Sequence, residues 1–248
     1  MSILKLNNKI ITLGGSVVKT PLAAKGDLIS MKVENKSENE TFRVLKMNGN
    51  IAKCLQQTRS NLSAYNHTSN VGTFTNGHSG QLYAGSSLDT LTNQFWELNG
   101  ITSTAKAAIV PEIRTQYLYK YYDAPNTPNT PTYTYQYQAG DKYHNADLID
   151  SIVIGERNLF ILDLKDIYDY FGKVCITFDE LKTLYTKPSI DALLSGASDD
   201  GRIWVANSGY VERNIFDFRR FDSDGHVQLA FNIDLSKIPF TKITEEEP

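Results

Sequence analysis

Three tyrosines alternate along one short stretch of the chain. Tyr133, Tyr135 and Tyr137 are separated by single residues, so in an extended strand their rings would share one face. Aromatic rings can stack on the apolar faces of sugars while neighbouring polar side chains bind the hydroxyl groups. We therefore predict a ligand-binding platform at these tyrosines. Packing of the rings within the protein or against another subunit is the alternative, since tyrosine is also favoured in strands and at interfaces.

The ionisable residues form no complete catalytic or metal-binding motif. Asp222-Ser223-Asp224-Gly225 resembles the start of a calcium loop, but the later ligands of such a loop are missing. A turn between strands explains this segment better. The four histidines are not spaced as zinc ligands and do not neighbour a nucleophile motif. We predict a protein that is not an enzyme and that needs neither a cofactor nor a metal.

Overall charge and cysteine content exclude further classes. The net charge of −3 lacks the basic excess that nucleic-acid backbones require. No apolar run approaches the roughly 20 residues of a membrane-spanning helix, so we expect no membrane insertion. The only cysteines, Cys54 and Cys175, are too few for a disulfide framework and are predicted to be buried thiols.

The beginning of the chain has the pattern of a small β-meander. Short β-favouring pieces within residues 1–20 are separated by Asn7-Asn8 and Gly14-Gly15. A polar segment, residues 34–40, follows. We therefore predict a β-rich N-terminal arm over residues 1–38, which would serve in anchoring or assembly, and a main domain over residues 39–248.

Local signals place the first elements of the main domain. Two β-favouring runs flank Asn48-Gly49-Asn50, which is the strongest short hairpin signal in the chain. Four helices are predicted afterwards. One is capped by Ser86-Ser87, one runs from Ser103 to Val110, one carries the apolar positions of LKDIYDYF, and one opens with the capping box Thr177-Phe178-Asp179-Glu180.

Strands are predicted towards the end of the chain, at residues 203–206, 210–216 and 227–233. Residues 117–143 differ in composition from their surroundings, because they hold eight of the 14 tyrosines and the prolines of PNTPNTPT. We interpret residues 117–143 as an insertion in the main domain. The order of strands, helices and strands predicts an α+β fold.

Several stretches resemble a bacterial and phage domain family of unknown function that recurs in phage and prophage structural proteins. They are FRVLKMNGNIAKCLQQ, SSLDTLTNQFW, TAKAAIV, LKDIYDYF, GRIWVANSGYV and VQLAFNIDLSKI, and they cover most of residues 41–240. That family is similar to the C-type-lectin-like fold of formylglycine-generating enzymes and of variable phage receptor-binding proteins. Two elements depart from its pattern: W-L-R-S is represented by Leu193-Leu194-Ser195, and V-R-P-A by Val227-Gln228-Leu229-Ala230.

The resemblance implies a C-type-lectin-like domain on a phage or prophage particle, where it would bind a host surface glycan or protein. The variable surface of such folds lies near the chain end. By resemblance, this implicates Asn207, Tyr210, Asn214, Phe216, Arg219 and Phe221 as ligand-binding residues. We expect a virion location after synthesis in the bacterial cytoplasm, with other virion proteins as partners and a homo-oligomeric state.

Two other functions compete with host recognition. The first is a purely structural role in decorating or cementing the capsid or tail, with the tyrosine-rich insertion as a subunit interface. The second is the oxidase activity of the sulfatase-modifying branch. That branch uses a late cysteine pair, whereas Cys54 and Cys175 lie far apart in this sequence. We regard the oxidase as the weakest of the three hypotheses.

Overall fold

The structure of the 248-residue chain is a computed structural model. The structure describes residues 3–6, 9–12, 18–19, 22–57, 70–98, 100–123, 134–139, 142–184, 191–198, 203–207, 216–219 and 227–244. Within these ranges the chain is a mixed α+β protein, as the sequence predicted, and the structure shows that its sheets are mostly antiparallel.

The first half of the described chain is dominated by short strands. They are β1 (Ile3–Leu6), β2 (Lys9–Thr12), β3 (Val18–Lys19), β4 (Leu28–Met31), β5 (Glu40–Asn48), β6 (Ile51–Gln56), β7 (Asn70–Thr73), β8 (Ser79–Leu82) and β9 (Ile109–Val110). The remaining strands are β10 (Glu112–Asp123), β11 (Tyr135–Ala139), β12 (Lys142–Arg157), β13 (Cys175–Ile176), β14 (Asp191–Ser198), β15 (Ile203–Asn207), β16 (Phe216–Arg219), β17 (Ala230–Asp234) and β18 (Phe240–Ile243). The helices are α1 (Ser87–Glu97), α2 (Ser103–Ala108), α3 (Leu164–Phe171) and α4 (Phe178–Leu184).

A six-stranded antiparallel sheet has the order β18-β4-β5-β6-β17-β9. The predicted hairpin forms its centre: β5 and β6 are joined at Gly49, whose φ of 60° is readily adopted by glycine. Strands β1, β2 and β3 form a separate antiparallel sheet, which confirms the predicted meander. Strand β4 pairs with β5 and β18, so it is an integral part of the larger sheet. The predicted arm therefore cannot extend to residue 38, because β4 belongs to the sheet of the main domain and Ala23 is already buried in its core.

The second sheet has seven strands in the order β13-β11-β12-β10-β14-β15-β16. Its longest pairing joins β10 and β12, with register shifts after Arg114 and Leu118. Much of the predicted insertion, residues 117–143, belongs to this sheet, since it contributes to β10, β11 and β12. Near its beginning, Tyr119 is fully buried and Tyr117 is half-buried. Residues 124–133, with the prolines, lie outside the described residues.

Both faces of the six-stranded sheet are covered by apolar side chains. On one face Phe42, Val44 and Phe231 pack with residues of α1 and α2. On the other face Leu45 and Leu55 pack with α3, α4 and the second sheet. Burying both faces stabilises the sheet through the hydrophobic effect. Strands β5 and β6 thus separate two cores.

The helices follow their predicted local signals, with one correction. Helix α1 is capped by the Ser86 side chain, and the Thr177–Glu180 capping box precedes α4. The predicted helix 103–110 is wrong at its end, because α2 stops at Ala108. Ile109 and Val110 are extended and pair with β17. Tertiary pairing of these β-branched residues therefore ends the helix before the proline does.

Of the strands predicted near the chain end, 203–206 is confirmed by β15. The run 227–233 becomes a strand only from Ala230. Most of the run 210–216 lies outside the described residues.

A small hairpin, β7 and β8, packs on the long strands of the second sheet. Phe74 and Leu118 form a minor core there. The turn is held by the Asp150 carboxylate, which accepts hydrogen bonds from the backbone N–H groups of Asn76 (2.9 Å) and His78 (3.3 Å) and lies 3.0 Å from the His78 ring. The hairpin is thereby attached by both apolar packing and charge-assisted hydrogen bonds.

We expect Gly80→Ala to destabilise the protein. A Cβ atom at this position would lie 2.7 Å from Leu118 Cδ1 and 3.1 Å from Phe74 Cε2. Overpacking of this kind costs about 1–3 kcal/mol, and urea denaturation measures it. Ser79→Ala, at an exposed position of the same strand, is the control and should change the free energy of unfolding by less than about 0.5 kcal/mol. Equal stability of the two variants would show that the hairpin does not pack here.

Candidate functional site

A cleft of about 620 Å³ opens between α3 and the β5–β6 hairpin. Its lining combines lysines, aspartates and tyrosines on a partly apolar base. The lining residues are Lys25, Leu45, Lys46, Lys53, Tyr135, Asp166, Tyr168, Asp169, Tyr170, Gly172, Lys173 and Val174. Its size lies in the range of small-molecule and sugar sites.

A β-bulge determines the lysine face of the cleft. The β5–β6 register is shifted between Val44 and Lys46, so Leu45 has no partner residue and Lys46 pairs with Lys53. Without the bulge Leu45 would oppose Lys53, and Lys46 would point towards the other core. With the bulge, Leu45 fills the second core while both lysines line the cleft.

Two stacked tyrosines form the base of the cleft. The Tyr135 and Tyr168 ring centroids are 4.3 Å apart with an interplanar angle of 24°. The Tyr168 hydroxyl donates a 2.7 Å hydrogen bond to the Gln136 carbonyl, which ties α3 to β11. Tyr135 is only 8% exposed, so little of its side chain is accessible to a ligand. The base is therefore rigid.

Tyr170 is the more accessible aromatic residue of the cleft. It is half-buried and packs edge-on against Phe171, with ring centroids 4.9 Å apart. The Lys25 ammonium lies 4.9 Å from the centre of the Tyr170 ring, within cation–π range. An aromatic ring and a cation are therefore adjacent on one wall of the cleft.

A network of ionic groups joins the cleft wall to both sheets. Lys53 Nζ lies 2.9 Å from Glu112 Oε1 and 3.4 Å from Asp166 Oδ1. The Arg114 guanidinium binds the Asp166 carboxylate in a bidentate manner and also contacts Glu112 at 2.8 Å. The Phe160 ring lies 4.2 Å from the Arg114 guanidinium carbon. The network thus connects β6, β10 and α3.

Pairing with opposite charges keeps the acidic groups of this network ionised. Burial alone would raise the pKa of Asp166, but the charge and hydrogen bonds of Arg114 and the charge of Lys53 hold it at about 2. The pKa of Glu112 is also lowered, because Lys53 and Arg114 outweigh the effect of burial. At neutral pH both carboxylates are therefore ionised and already occupied by protein cations.

Asp163 begins α3 and lies just below this network. Its carboxylate accepts hydrogen bonds from the Lys165 backbone N–H (3.1 Å) and from the Tyr119 hydroxyl, and its own N–H donates to Asp166 Oδ2 (2.8 Å), completing a capping box. Burial raises the pKa of Asp163 to about 7. Burial likewise raises the pKa of Tyr119, so this hydroxyl stays protonated and acts as a donor.

Only some of the predicted site residues can be placed. Tyr135 lines the cleft, although it is more buried than the prediction of an exposed platform required. Tyr137 lies in β11 and Asn207 ends β15, while Phe216 and Arg219 begin and end β16. For these four residues the structure describes the backbone and not the side chain. Tyr133, Tyr210, Asn214 and Phe221 lie outside the described residues, as does the segment 222–225.

Sequence reasoning missed Lys46, Lys53 and Tyr170. The two lysines sit on a correctly predicted hairpin, but an unbulged register would place them on opposite faces. Tyr170 lies in the correctly predicted helix α3 at a position that the apolar periodicity leaves on the solvent side. Neither the hairpin signal nor the helix signal could show that these residues face each other.

Comparison of the chain with protein-family models, curated proteins and solved structures finds no match.

The described residues show neither a metal cluster nor a membrane-spanning helix. Among them, no group of three or more His, Cys, Asp or Glu side chains could hold a metal ion. No described helix has the length and apolar character needed to cross a bilayer.

The two cysteines differ in their surroundings. Cys54 is fully buried, as predicted, and burial raises the pKa of its thiol far above the usual value. The prediction of a buried Cys175 is wrong in degree, because this residue at the edge of the second sheet is only partly buried. Burial raises the pKa of Cys175 too. Both thiols are therefore poorly nucleophilic at neutral pH.

We expect Asp163 to make stability depend on pH. Its pKa rises from 3.8 unfolded to about 7 folded, so the folded state binds the proton more tightly. The resulting stabilisation is complete below pH 3.8 and is lost as the pH rises to 7, a change of about 4 kcal/mol at about 1.4 kcal/mol per pH unit. Asp163→Asn, which keeps a cap oxygen, should remove this contribution.

Urea denaturation of both proteins between pH 4 and 8 measures the effect. The difference in free energy of unfolding between wild type and Asp163→Asn should shift in favour of Asn as the pH rises and level off above pH 7. A difference that stays constant across this range would contradict the protonation of Asp163 in the folded state.

Proposed function

We propose that this protein is a non-catalytic, carbohydrate-binding protein of a bacteriophage or prophage particle, and that the cleft beside α3 binds a glycan of the host surface. The observation that carries the binding site is the adjacency of the half-buried Tyr170 ring, the stacked tyrosine base and the lysines of β5 and β6. The assignment to a virion rests on the sequence resemblance alone.

The composition of the cleft suits a sugar better than an apolar ligand. A pyranose ring presents an apolar face to an aromatic ring and hydroxyl groups to charged or amide side chains. Tyr170 offers such an aromatic surface, while Asp169 and Lys173 on the same wall offer an acceptor and donors. The rigid base limits the entropy that binding would cost.

Several further properties belong to the same proposal. The described fold is α+β, and the C-type-lectin-like arrangement is the finer architecture that we propose from the resemblance. We propose a homo-oligomer in contact with other virion proteins, without nucleic-acid binding or membrane insertion. The raised thiol pKa values of Cys54 and Cys175 disfavour the oxidase alternative, because oxygen or substrate activation by cysteine needs a thiolate.

A cementing role is the second candidate, and one observation favours it. Ile113 and Val153 lie diagonally on β10 and β12 and are 70% and 65% exposed. Neighbouring apolar side chains of this kind are more typical of protein interfaces than of a bare surface. A particle-bound protein could use this patch to contact another subunit.

Immunogold electron microscopy of particles from the source bacterium tests the virion assignment. Host recognition predicts label at the tail tip or fibres, because these structures reach the cell surface first. Label over the whole head would support the cementing role instead. Particles without any label would contradict both virion roles.

Tyr170→Ala tests the cleft itself. We expect this variant to bind host cells about tenfold more weakly than wild type, since an aromatic contact contributes about 1 kcal/mol or more. Tyr170→Phe keeps the ring and should retain most of the binding. Pull-down of the fluorescently labelled proteins with intact host cells measures the difference. Unchanged binding of the alanine variant, with circular dichroism showing a preserved fold, would rule out the cleft as the glycan site.

A further inference from the structure

The lysines at the mouth of the cleft are not balanced by its acids. Asp166 is bound by Arg114 and Lys53, and Asp169 pairs with Lys165 at 2.7 Å. Both lining carboxylates are thus paired with cations of the protein, Asp166 in a buried network and Asp169 in an exposed pair. The cleft has no unpaired negative charge to repel an anion.

Two of the lining lysines remain without such a partner. Lys46 and Lys25 are exposed and form no ion pair with any described residue, and Lys25 lies beside the Tyr170 ring. Lys173 pairs with Glu180, and Lys53 with Glu112. Two ammonium groups are therefore available to a ligand, in a chain whose net charge is −3.

The β5–β6 pairing places like charges opposite each other. Lys46 and Lys53 are direct cross-strand partners, and like charges in such a pair destabilise a hairpin. The bulge at Leu45 creates this pairing, and bulges often re-aim side chains at functional sites. Because Lys53 is already paired with Glu112 and Asp166, Lys46 is the member of this cross-strand pair that an anion could bind.

Two smaller depressions extend the cleft from its centre. One of about 320 Å³ shares Lys46 and Lys53 with it and reaches Asn232. The other, of about 180 Å³, shares Lys53, Asp166 and Asp169 and reaches Tyr117. Lys53 lines all three depressions, which together are called the groove, and their combined extent suits an elongated ligand better than a single sugar.

We infer that the ligand of the groove is an acidic glycan chain, whose carboxylate or phosphate group binds Lys46 and Lys25 while a sugar ring packs on Tyr170. This inference rests on the proposed function and specifies its ligand class. Nucleic acid is the poorer fit, because two available lysines are too few to neutralise a run of phosphates.

Affinity electrophoresis in native gels tests the charge of the ligand. The gels contain polygalacturonate, poly(glycerol phosphate) or neutral dextran, so the first two distinguish a carboxylate from a phosphate source. Wild type should be retarded by one of the polyanions and not by dextran, and added salt should weaken the retardation. Lys46→Gln and Lys25→Gln should each weaken it about fivefold, as expected for loss of one exposed charge contact.

Lys32→Gln is the matched control, since it makes the same charge change at an exposed lysine outside the groove. It should migrate as wild type does after correction for mobility in a ligand-free gel. Equal weakening by Lys32→Gln and Lys46→Gln would show a nonspecific charge effect and overturn the assignment of the site.

Other outcomes separate this inference from the proposed function. Retardation by dextran as strong as by the polyanions would overturn the acidic ligand and leave glycan binding intact. If no gel retards the protein but binding to host cells still depends on Tyr170, this inference alone is overturned. If no gel retards the protein and Tyr170→Ala also leaves binding to host cells unchanged, the proposed function is overturned as well. Oligothymidine and soluble polyanion can each be added as a competitor of the retardation. If oligothymidine abolishes the retardation at a lower concentration than the soluble polyanion does, the groove is assigned to nucleic acid instead.

Discussion

The bidentate contact between Arg114 and Asp166 is the interaction on which the site depends. Arg114 belongs to the second sheet, and Asp166 lies in the first turn of α3. Lys53 of the six-stranded sheet approaches the same carboxylate. Removing one partner from such a buried group leaves an uncompensated charge and costs about 3–5 kcal/mol. The contact therefore fixes how the helix and the two sheets meet.

The same contact also sets the electrostatics of the cleft. Asp166 would repel an anion if it were unpaired, but Arg114 and Lys53 neutralise it. The lysines that face the opening, Lys25 and Lys46, have no comparable acid among the described residues. A network that holds the fold together thus leaves the cleft positive. The lysine that the network occupies, Lys53, is thus distinct from Lys25 and Lys46, which we propose bind the ligand.

Local features of the fold could be predicted from the sequence, whereas the site could not. The Asn-Gly hairpin, the Ser86 cap and the Thr177–Glu180 capping box each depend on residues close in sequence, and all are present. The end of α2 was missed because Ile109 pairs with a strand more than a hundred residues away. Long-range pairing overrides local propensity in such cases.

The candidate site combines segments that are far apart in the sequence, so no local sequence pattern predicts it. The bulge at Leu45 leaves that side chain in the second core and moves Lys46 to the cleft face, and no pattern in the sequence marks its position. Tyr135 was identified as a candidate from its alternation with neighbouring tyrosines, but its stacking on Tyr168 buries it. Aromatic alternation indicates a shared face and does not show whether that face is exposed.

Hydrogen–deuterium exchange with and without host surface polysaccharide tests the central claim that the cleft is the binding site. The account predicts that the polysaccharide slows exchange in peptides covering residues 43–53 and 164–174, which form the two walls of the cleft. Protection confined to residues 207–221, or the absence of protection in both wall peptides at saturating polysaccharide, would contradict it.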